Sequence, residues 1–158
     1  MALLHYLLSQ AAIDRYWLEI AISESRRCPV SDTAFSVGAV IVDANGREIS
    51  RGYSREGDPH VHAEESALSK VDGPDARLPD ATIYSSLEPC SVRKSRPRSC
   101  AALIRAAGVP RVVYAWREPV LFVDGHGVEE LREAGVEVVQ LADLAEEVRA
   151  VNAHLLLS

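Results

Sequence analysis

A chain of 158 residues with 47% hydrophobic and 25% charged residues has the size and composition of one globular domain with a substantial core. Its net charge of −6 disfavours broad binding to a nucleic-acid backbone, which requires a basic surface. Three cysteines argue against a disulfide framework, and no apolar stretch has the length that spans a bilayer. The apolar residues 3–8 lack the basic region and cleavage site of a secretory signal. We therefore expect a single cytoplasmic domain, residues 1–158, that binds neither nucleic acid nor membrane.

The periodicity of apolar residues predicts strands that alternate with helices after an initial hairpin. Asn45-Gly46 suits the hairpin turn, Pro29 and Gly108 end helices, and Asp143 is a candidate N-cap. This order indicates an α/β fold, a three-layer α/β/α sandwich around a five-stranded mixed sheet. The predicted elements are a helix over 10–27, strands over 36–43 and 47–53, a helix over 62–70, a strand over 81–86, a helix over 100–107, a strand over 111–115, a helix over 128–134, a strand over 136–141 and a final helix over 144–155.

The sequence His62-Ala63-Glu64, followed by Pro89-Cys90 and then Cys100, contains the donors of a hydrolytic zinc site. Zn²⁺ binds nitrogen and sulfur ligands tetrahedrally, and a catalytic zinc keeps three protein ligands and an open fourth position. His62, Cys90 and Cys100 supply three ligands, which leaves Glu64 free to move protons. One histidine or cysteine alone is more often a core residue, so the prediction depends on the order of all four residues. This order is that of zinc-dependent nucleobase deaminases.

The predicted elements bring these residues to two helix N-termini. Glu64 lies in the first turn of one helix and Cys100 begins the next, so both helix dipoles favour thiolate and hydroxide. Zinc lowers the pKa of a bound water from about 15.7 to about 7, which supplies the hydroxide that deamination needs. One carboxylate can then carry the protons, and we assign this role to Glu64. Glu65 is expected to be a solvated side chain, and Cys28 a buried or incidental thiol.

Nearly the whole chain resembles the pyrimidine deaminase of riboflavin biosynthesis, within the cytidine deaminase-like superfamily. The resemblance implies that His62, Cys90 and Cys100 bind Zn²⁺, that Glu64 shuttles protons and that the protein is a homodimer. It also implies a phosphorylated substrate, 2,5-diamino-6-(5-phosphoribosylamino)pyrimidin-4(3H)-one, which loses its 2-amino group. The matching stretches are residues 37–42, 52–53, 62–64, 87–91, 125–132 and 134–138.

Two departures from this family concern the substrate. Ala34-Phe35 stands where bacterial members typically carry Asn-Pro, and the loop 91–99 lacks their His and Gly, so both stretches look more like the fungal enzymes. The loop carries four basic residues between two metal ligands, and arginine matches phosphate oxygens bidentately. We therefore predict that it holds the substrate phosphate. The predicted substrate-binding residues are Phe35, Ala63, Arg93 and Lys94.

Three other functions stay open at this point. The chain could deaminate another small heterocycle, such as cytosine, cytidine, deoxycytidylate, guanine or a specialised metabolite. It could edit tRNA or another nucleic acid, although its acidic balance disfavours this function. It could be a non-catalytic zinc-binding scaffold, although such a site has no use for Glu64. For the homodimer, the helix after Cys100 and residues 120–123 are candidate contacts.

Overall fold

The computed structural model of the chain describes residues 9–91, 97–117 and 127–156. The strands are β1 (Gly38–Val42), β2 (Glu48–Tyr53), β3 (Thr82–Leu87), β4 (Arg111–Trp116) and β5 (Glu137–Gln140). They form one sheet in the order β2-β1-β3-β4-β5. β1 is antiparallel to β2 and β3, whereas β3, β4 and β5 are parallel, so the sheet is mixed as predicted.

The helices cover both faces of this sheet. They are α1 (Gln10–Ser25), α2 (Ala63–Ser69), α3 (Cys100–Ala107), α4 (Gly127–Glu133), α5 (Ala145–Val151) and α6 (Ala153–Leu156), with 3₁₀ turns at Leu78–Asp80 and Ala142–Leu144. α1 and α5 pack together on one face, and α2, α3 and α4 form a row on the other. The predicted three-layer sandwich is therefore confirmed. None of the helices in the described ranges combines the length and apolar character that crossing a bilayer requires.

Two glycines of the hairpin allow helices to lie directly on the sheet. A Cβ atom on Gly38 would stand 1.9 Å from the carbonyl oxygen of Ala21 in α1. A Cβ atom on Gly52 would stand 2.7 Å from the carbonyl oxygen of Ala63 at the start of α2. Neither position has room for a side chain, because the opposing atoms belong to the backbone. The Gly52 contact fixes the first turn of α2, where His62 and Glu64 lie.

The carboxyl end of β3 positions the other part of the site. β1, β3 and β4 are the interior strands and are buried over nearly their whole length. β3 ends at Leu87, and Cys90 follows three residues later. In open α/β sheets, ligands bind outside the carboxyl ends of the strands. The motif residues thus lie where this fold places its ligands.

The end of the chain departs from the predicted single helix. A 3₁₀ turn precedes α5, and Asn152 interrupts the helix between α5 and α6. The buried Asn152 side chain makes two hydrogen bonds with the backbone of Ser36. It accepts one of 2.7 Å from the Ser36 N–H and donates one of 3.2 Å to the Ser36 carbonyl oxygen. The prediction that Asp143 caps the helix is wrong, because its carboxylate pairs with Arg15 of α1. Both differences arise from long-range contacts.

Candidate metal centre and active site

Three ligand atoms converge at the predicted metal site. His62 Nδ1 lies 3.6 Å from Cys90 Sγ and 3.3 Å from Cys100 Sγ, and all three atoms lie within 4.8 Å of one another. Zn–S bonds of about 2.3 Å and Zn–N bonds of about 2.0 Å in a tetrahedron separate ligand atoms by roughly 3.5–3.8 Å. The observed distances between the imidazole nitrogen and the sulfurs are close to this range. One nitrogen and two sulfurs are also the donors that zinc prefers.

Helix α3 holds Cys90 and Cys100 together. Cys100 is the first residue of α3, and its backbone N–H donates a 3.2 Å hydrogen bond to Cys90 Sγ. The next N–H, from Ala101, donates a 3.0 Å bond to the carbonyl oxygen of Cys90. The N-terminal N–H groups of a helix have no partner within the helix and attract negative charge. The helix terminus therefore stabilises a thiolate at Cys90.

The Cys90 thiol is polarised towards its anionic form by its neighbours. Hydrogen bonding with Cys100 lowers the pKa of Cys90 most, burial opposes this shift, and the His62 imidazole adds to the lowering. The net shift is downward. Thiolate is the form that binds metal, so the lowered pKa of Cys90 favours metal binding.

Glu64 follows His62 by two residues and is not one of the three clustered residues. It occupies the first turn of α2 and is only 4% exposed. Its Oε1 atom accepts a 2.6 Å hydrogen bond from the hydroxyl of Ser85 on β3. Within the described part of the chain, no hydrogen bond engages Oε2. A buried carboxylate with one engaged oxygen next to a metal site is suited to proton transfer.

Ser85 was not among the residues predicted from the sequence. It occupies an interior strand, followed directly by Ser86, and both serines are fully buried. Successive residues of a strand point to opposite faces, so one serine faces Glu64 and the other accepts a 3.1 Å bond from the N–H of Gly38. Two adjacent serines in a predicted interior strand could have indicated a polar contact, because buried hydroxyls need hydrogen-bond partners.

The prediction that Glu65 is a solvated side chain is wrong. It is half-buried, and its carboxylate accepts a 3.4 Å hydrogen bond from the backbone N–H of His62. A carboxylate three residues into a helix that reaches back to the N-cap residue is half of a capping box. Glu65 therefore helps to hold the backbone of His62 in place.

Of the predicted substrate-binding residues, the structure describes two. Phe35 is half-buried, and its ring meets the Trp116 ring edge-on at 5.4 Å between centroids. The carbonyl oxygen of Trp116 accepts a bond from the N–H of Glu88, two residues before Cys90. Ala63 is fully buried between His62 and Glu64. Arg93 and Lys94 lie outside the described residues, as do residues 120–123.

A second residue that the sequence analysis missed is Gly127, the first residue of α4. A Cβ atom there would lie 1.8 Å from the carbonyl oxygen of Pro89 and 3.4 Å from the carbonyl carbon of Cys90. The backbone of α4 thus packs directly against the peptide that carries a predicted metal ligand. The stretch around Gly127 matches the family that the sequence resembles, but no local pattern indicates what the glycine contacts.

Residues 11–116 match the family described as the cytidine and deoxycytidylate deaminase zinc-binding region. This chain belongs to that family. The family's zinc-binding region and the His/Cys/Cys cluster together identify Zn²⁺ as the cofactor. The prediction, made from the motif order, that the chain has the zinc-binding region of a deaminase family is confirmed.

Proteins of riboflavin biosynthesis are among the similar ones. The diaminohydroxyphosphoribosylamino-pyrimidine deaminase of Schizosaccharomyces pombe is 43% identical over 129 residues, which are 80% of this chain and 31% of that protein. The riboflavin biosynthesis protein RibD of Aquifex aeolicus is 37% identical over 142 residues, 89% of this chain and 38% of that protein. The predicted resemblance is confirmed, although the chain spans only about a third of these curated relatives.

The structure of Acinetobacter baumannii RibD superposes on this chain with a TM-score of 0.75 and 32% sequence identity. The superposition covers 94% of this chain and 40% of the other. The similarity therefore includes both the sheet and the helices that carry the metal cluster.

Proposed function

We propose that this protein is a zinc-dependent hydrolytic deaminase of a pyrimidine. The observation that carries the proposal is the convergence of His62, Cys90 and Cys100 next to the buried carboxylate of Glu64. A non-catalytic zinc scaffold would gain nothing from a buried carboxylate beside its metal, since burying an ionisable group without need is costly. The proposed substrate is 2,5-diamino-6-(5-phosphoribosylamino)pyrimidin-4(3H)-one, whose 2-amino group is replaced by oxygen. The name of the Schizosaccharomyces pombe relative supports this substrate.

In this proposal, His62 Nδ1 and the sulfurs of Cys90 and Cys100 would hold the zinc. When bound, Zn²⁺ supplies acidity, since it lowers the pKa of a water from about 15.7 to about 7. The hydrogen bonds from α3 to Cys90 hold the thiolate in place. The carboxylate of Glu65 accepts a hydrogen bond from the backbone N–H of His62 and so holds the His62 backbone in place.

Glu64 carries the protons of the reaction. It takes one proton from the attacking water, whose oxygen bonds to C2 of the ring, and gives that proton to the adjacent ring nitrogen. It takes the second proton of the water and passes it to the amino group as the C–N bond breaks. Ring planarity returns with a carbonyl at C2, and ammonia leaves. Water and substrate balance the products without any other reactant, so one buried carboxylate is sufficient.

Glu64→Gln tests this role, because the amide keeps the shape of the carboxylate and cannot shuttle protons. We expect zinc content and fold to be retained and turnover to fall by about 10²–10⁴-fold or more. The measurements are metal analysis, circular dichroism and ammonia release. Near-normal turnover in this variant would show that another residue carries the protons.

Phe35, Ala63, Arg93 and Lys94 are proposed to contact the substrate. Phe35 already packs on Trp116 beside the segment that leads to Cys90, where its ring could border the pyrimidine. Arg93 and Lys94 belong to a basic run in an otherwise acidic chain, which suits a phosphate group. Replacing both with alanine should raise KM for the phosphorylated substrate far more than KM for its dephosphorylated analogue.

A substrate panel distinguishes the proposed substrate from other small heterocycles. Ammonia release is measured with the riboflavin-pathway pyrimidine, its dephosphorylated form, cytosine, cytidine, deoxycytidylate and guanine. The proposal requires the highest kcat/KM for the phosphorylated pathway pyrimidine. A preference for an unphosphorylated base or nucleoside would instead favour the alternative of another small heterocycle.

We also propose a single domain over residues 1–158, a homodimer and a cytoplasmic location. The dimer follows from the resemblance and from the prevalence of two-fold symmetric dimers among protein assemblies. Light scattering at micromolar concentration measures the oligomeric state, and a monomer would contradict this part of the proposal.

A further inference from the structure

Ser85 connects the centre of the sheet to the proposed proton carrier. It lies on the interior strand β3, paired with Ala39 of β1 on one side and with Tyr114 of β4 on the other. Its side chain is fully buried. The hydroxyl lies 2.6 Å from Oε1 of Glu64 and 2.8 Å from the carbonyl oxygen of Leu87. The hydroxyl has one hydrogen, so it donates to one of these two oxygens at a time, and the backbone pairing of the interior strand fixes its position.

We propose that Ser85 is a positioning residue that orients the carboxylate of Glu64. The inference rests on the proposed role of Glu64 as proton carrier. By engaging Oε1, Ser85 restricts rotation about the last side-chain torsion of Glu64, which is otherwise broad. The other oxygen, Oε2, accepts no hydrogen bond in the described part of the chain and remains available to reacting atoms. In this proposal, Oε1 holds the carboxylate in place and Oε2 transfers the protons.

A hydroxyl is well suited to this task. It can donate a hydrogen bond to a carboxylate and accept one from a carboxylic acid. When Glu64 holds a proton, Ser85 can accept from it and donate to the carbonyl oxygen of Leu87 instead. The contact therefore persists in both forms through which a proton carrier passes. An apolar residue at position 85 would fill the space and provide neither bond.

Ser85→Thr and Ser85→Val form a matched pair of equal shape, which differ only in the hydroxyl. Any strain from the added methyl group is common to both variants. We expect Ser85→Val to lower kcat by about ten- to a hundredfold relative to Ser85→Thr, the range for losing a hydrogen bond to a charged group. KM and zinc content should change little. If the extra methyl disturbs the fold, Ser85→Ala, which removes only the hydroxyl, replaces the pair.

Ser86→Ala is the control on the opposite face of the strand. Ser86 is equally buried, but its hydroxyl accepts from the N–H of Gly38 and does not meet Glu64. This variant should lose stability and keep kcat per folded, zinc-loaded enzyme. Adding Ser85→Val to Glu64→Gln should cause no further fall in kcat, because the oriented group is already inactive. Equal kcat for Ser85→Thr and Ser85→Val would overturn the inference.

Crystal structures of the two Ser85 variants provide a readout that does not need turnover. Glu64 should adopt one side-chain conformation in Ser85→Thr and several in Ser85→Val. A single unchanged conformation in Ser85→Val would also overturn the inference. Failure of the proposed function has a different signature, namely a wild type without deaminase activity or an active Glu64→Gln variant. The two failures are therefore distinguishable.

Discussion

Two consecutive residues of β3, Tyr84 and Ser85, belong to two buried polar clusters on opposite faces of the sheet. Ser85 contacts Glu64 beside the metal ligands. Tyr84 donates a 2.9 Å hydrogen bond to Asp14 of α1. Asp14 also accepts two bonds from Arg111, of 2.7 and 2.8 Å, and one of 3.0 Å from Gln10. The same strand thus contributes one residue to each of two polar clusters.

The clusters differ in what their polar groups contact. In one cluster the groups bind one another, and in the other they converge on one point where a ligand can bind. In the Asp14 cluster, both carboxylate oxygens are engaged by protein donors, and the guanidinium of Arg111 binds them bidentately. In the metal cluster, one nitrogen and two sulfur atoms converge within 4.8 Å, a donor set that suits a zinc ion. A closed polar cluster stabilises the fold, whereas a converging one indicates a ligand. Burial and charge alone do not distinguish the two.

The largest effect should come from opening the closed cluster. Asp14→Asn keeps the shape of the side chain and removes the buried carboxylate that Arg111 binds bidentately. Arg111, whose side chain is 16% exposed, then has only the exposed carboxylate of Glu137, at 3.1 Å, as its counter-charge. We expect the free energy of unfolding to fall by about 3 kcal/mol, as for other broken buried pairs. Urea denaturation measures this change. Zinc stoichiometry should stay the same, because the cluster lies on the opposite face.

Asp143→Asn is the control for charge removal. Asp143 also pairs with an arginine, Arg15, but its side chain is 62% exposed. Exposed ion pairs contribute little to stability, so the urea midpoint should hardly move. If Asp14→Asn behaves like Asp143→Asn, the Asp14 cluster is not a stabilising unit and the comparison between the two clusters fails.

The metal cluster could be predicted from the sequence because its signal is chemical. Histidine and cysteine in a fixed order next to a glutamate define a donor set, and local patterns also predict the two helix starts at which His62, Glu64 and Cys100 lie. His62 does precede a helix and Cys100 does begin one. Helix α3 ends at Gly108 as predicted, and this glycine has the left-handed conformation, with φ of +76°.

The Asp14 cluster could not be predicted, because its members are far apart in the chain. Tyr84 is 70 residues from Asp14, and Arg111 is 97 residues away. Nothing near Asp14 distinguishes it from a solvated helix residue. The prediction for the C-terminal helix was wrong for the same reason. Asp143 resembles an N-cap residue in the sequence, but its carboxylate pairs with Arg15. Pairings that depend on the tertiary fold leave no local pattern.

A smaller effect, on zinc affinity, should follow from moving the backbone of the metal cluster. Gly127→Ala places a methyl group where the carbonyl of Pro89 lies, at 1.8 Å, so the peptide that carries Cys90 must move. We expect zinc affinity to fall by about 10–100-fold, the range for residues that orient metal ligands. Competition with a chromogenic chelator measures the affinity. Unchanged affinity would show that the site tolerates displacement of this peptide.

Gly135→Ala is the matched control just beyond the other end of α4. Gly135 has φ of +87°, and a Cβ atom there would meet nothing within 4 Å. Alanine in this conformation costs about 1–2 kcal/mol of stability. The variant should therefore melt at a lower temperature than the wild type and bind zinc with the same affinity. The two glycine variants separate a general loss of stability from a specific loss of metal binding.

The smallest effect should be the pH dependence of the closed cluster. Burial by itself raises the pKa of Asp14, but hydrogen bonds from Arg111, Gln10 and Tyr84 outweigh it, so the net pKa lies below its ordinary value of 3.8. A carboxyl group whose pKa is lowered by folding contributes stability above its ordinary pKa. That contribution is lost as the pH falls through the folded-state pKa.

The difference in the free energy of unfolding between the wild type and Asp14→Asn should therefore be constant above pH 5 and shrink below about pH 4. Urea denaturation of both proteins between pH 7 and pH 3 measures it. Other acids with lowered pKa values, such as Glu56 and Asp75, are present in both proteins and cancel in the difference. The proposed zinc ligands are also present in both proteins, so their ionisation cancels in the difference as well. A difference that stays constant down to pH 3 would mean that the ionisation of Asp14 contributes nothing to the closed cluster, whose stability would then come from neutral hydrogen bonds and packing alone.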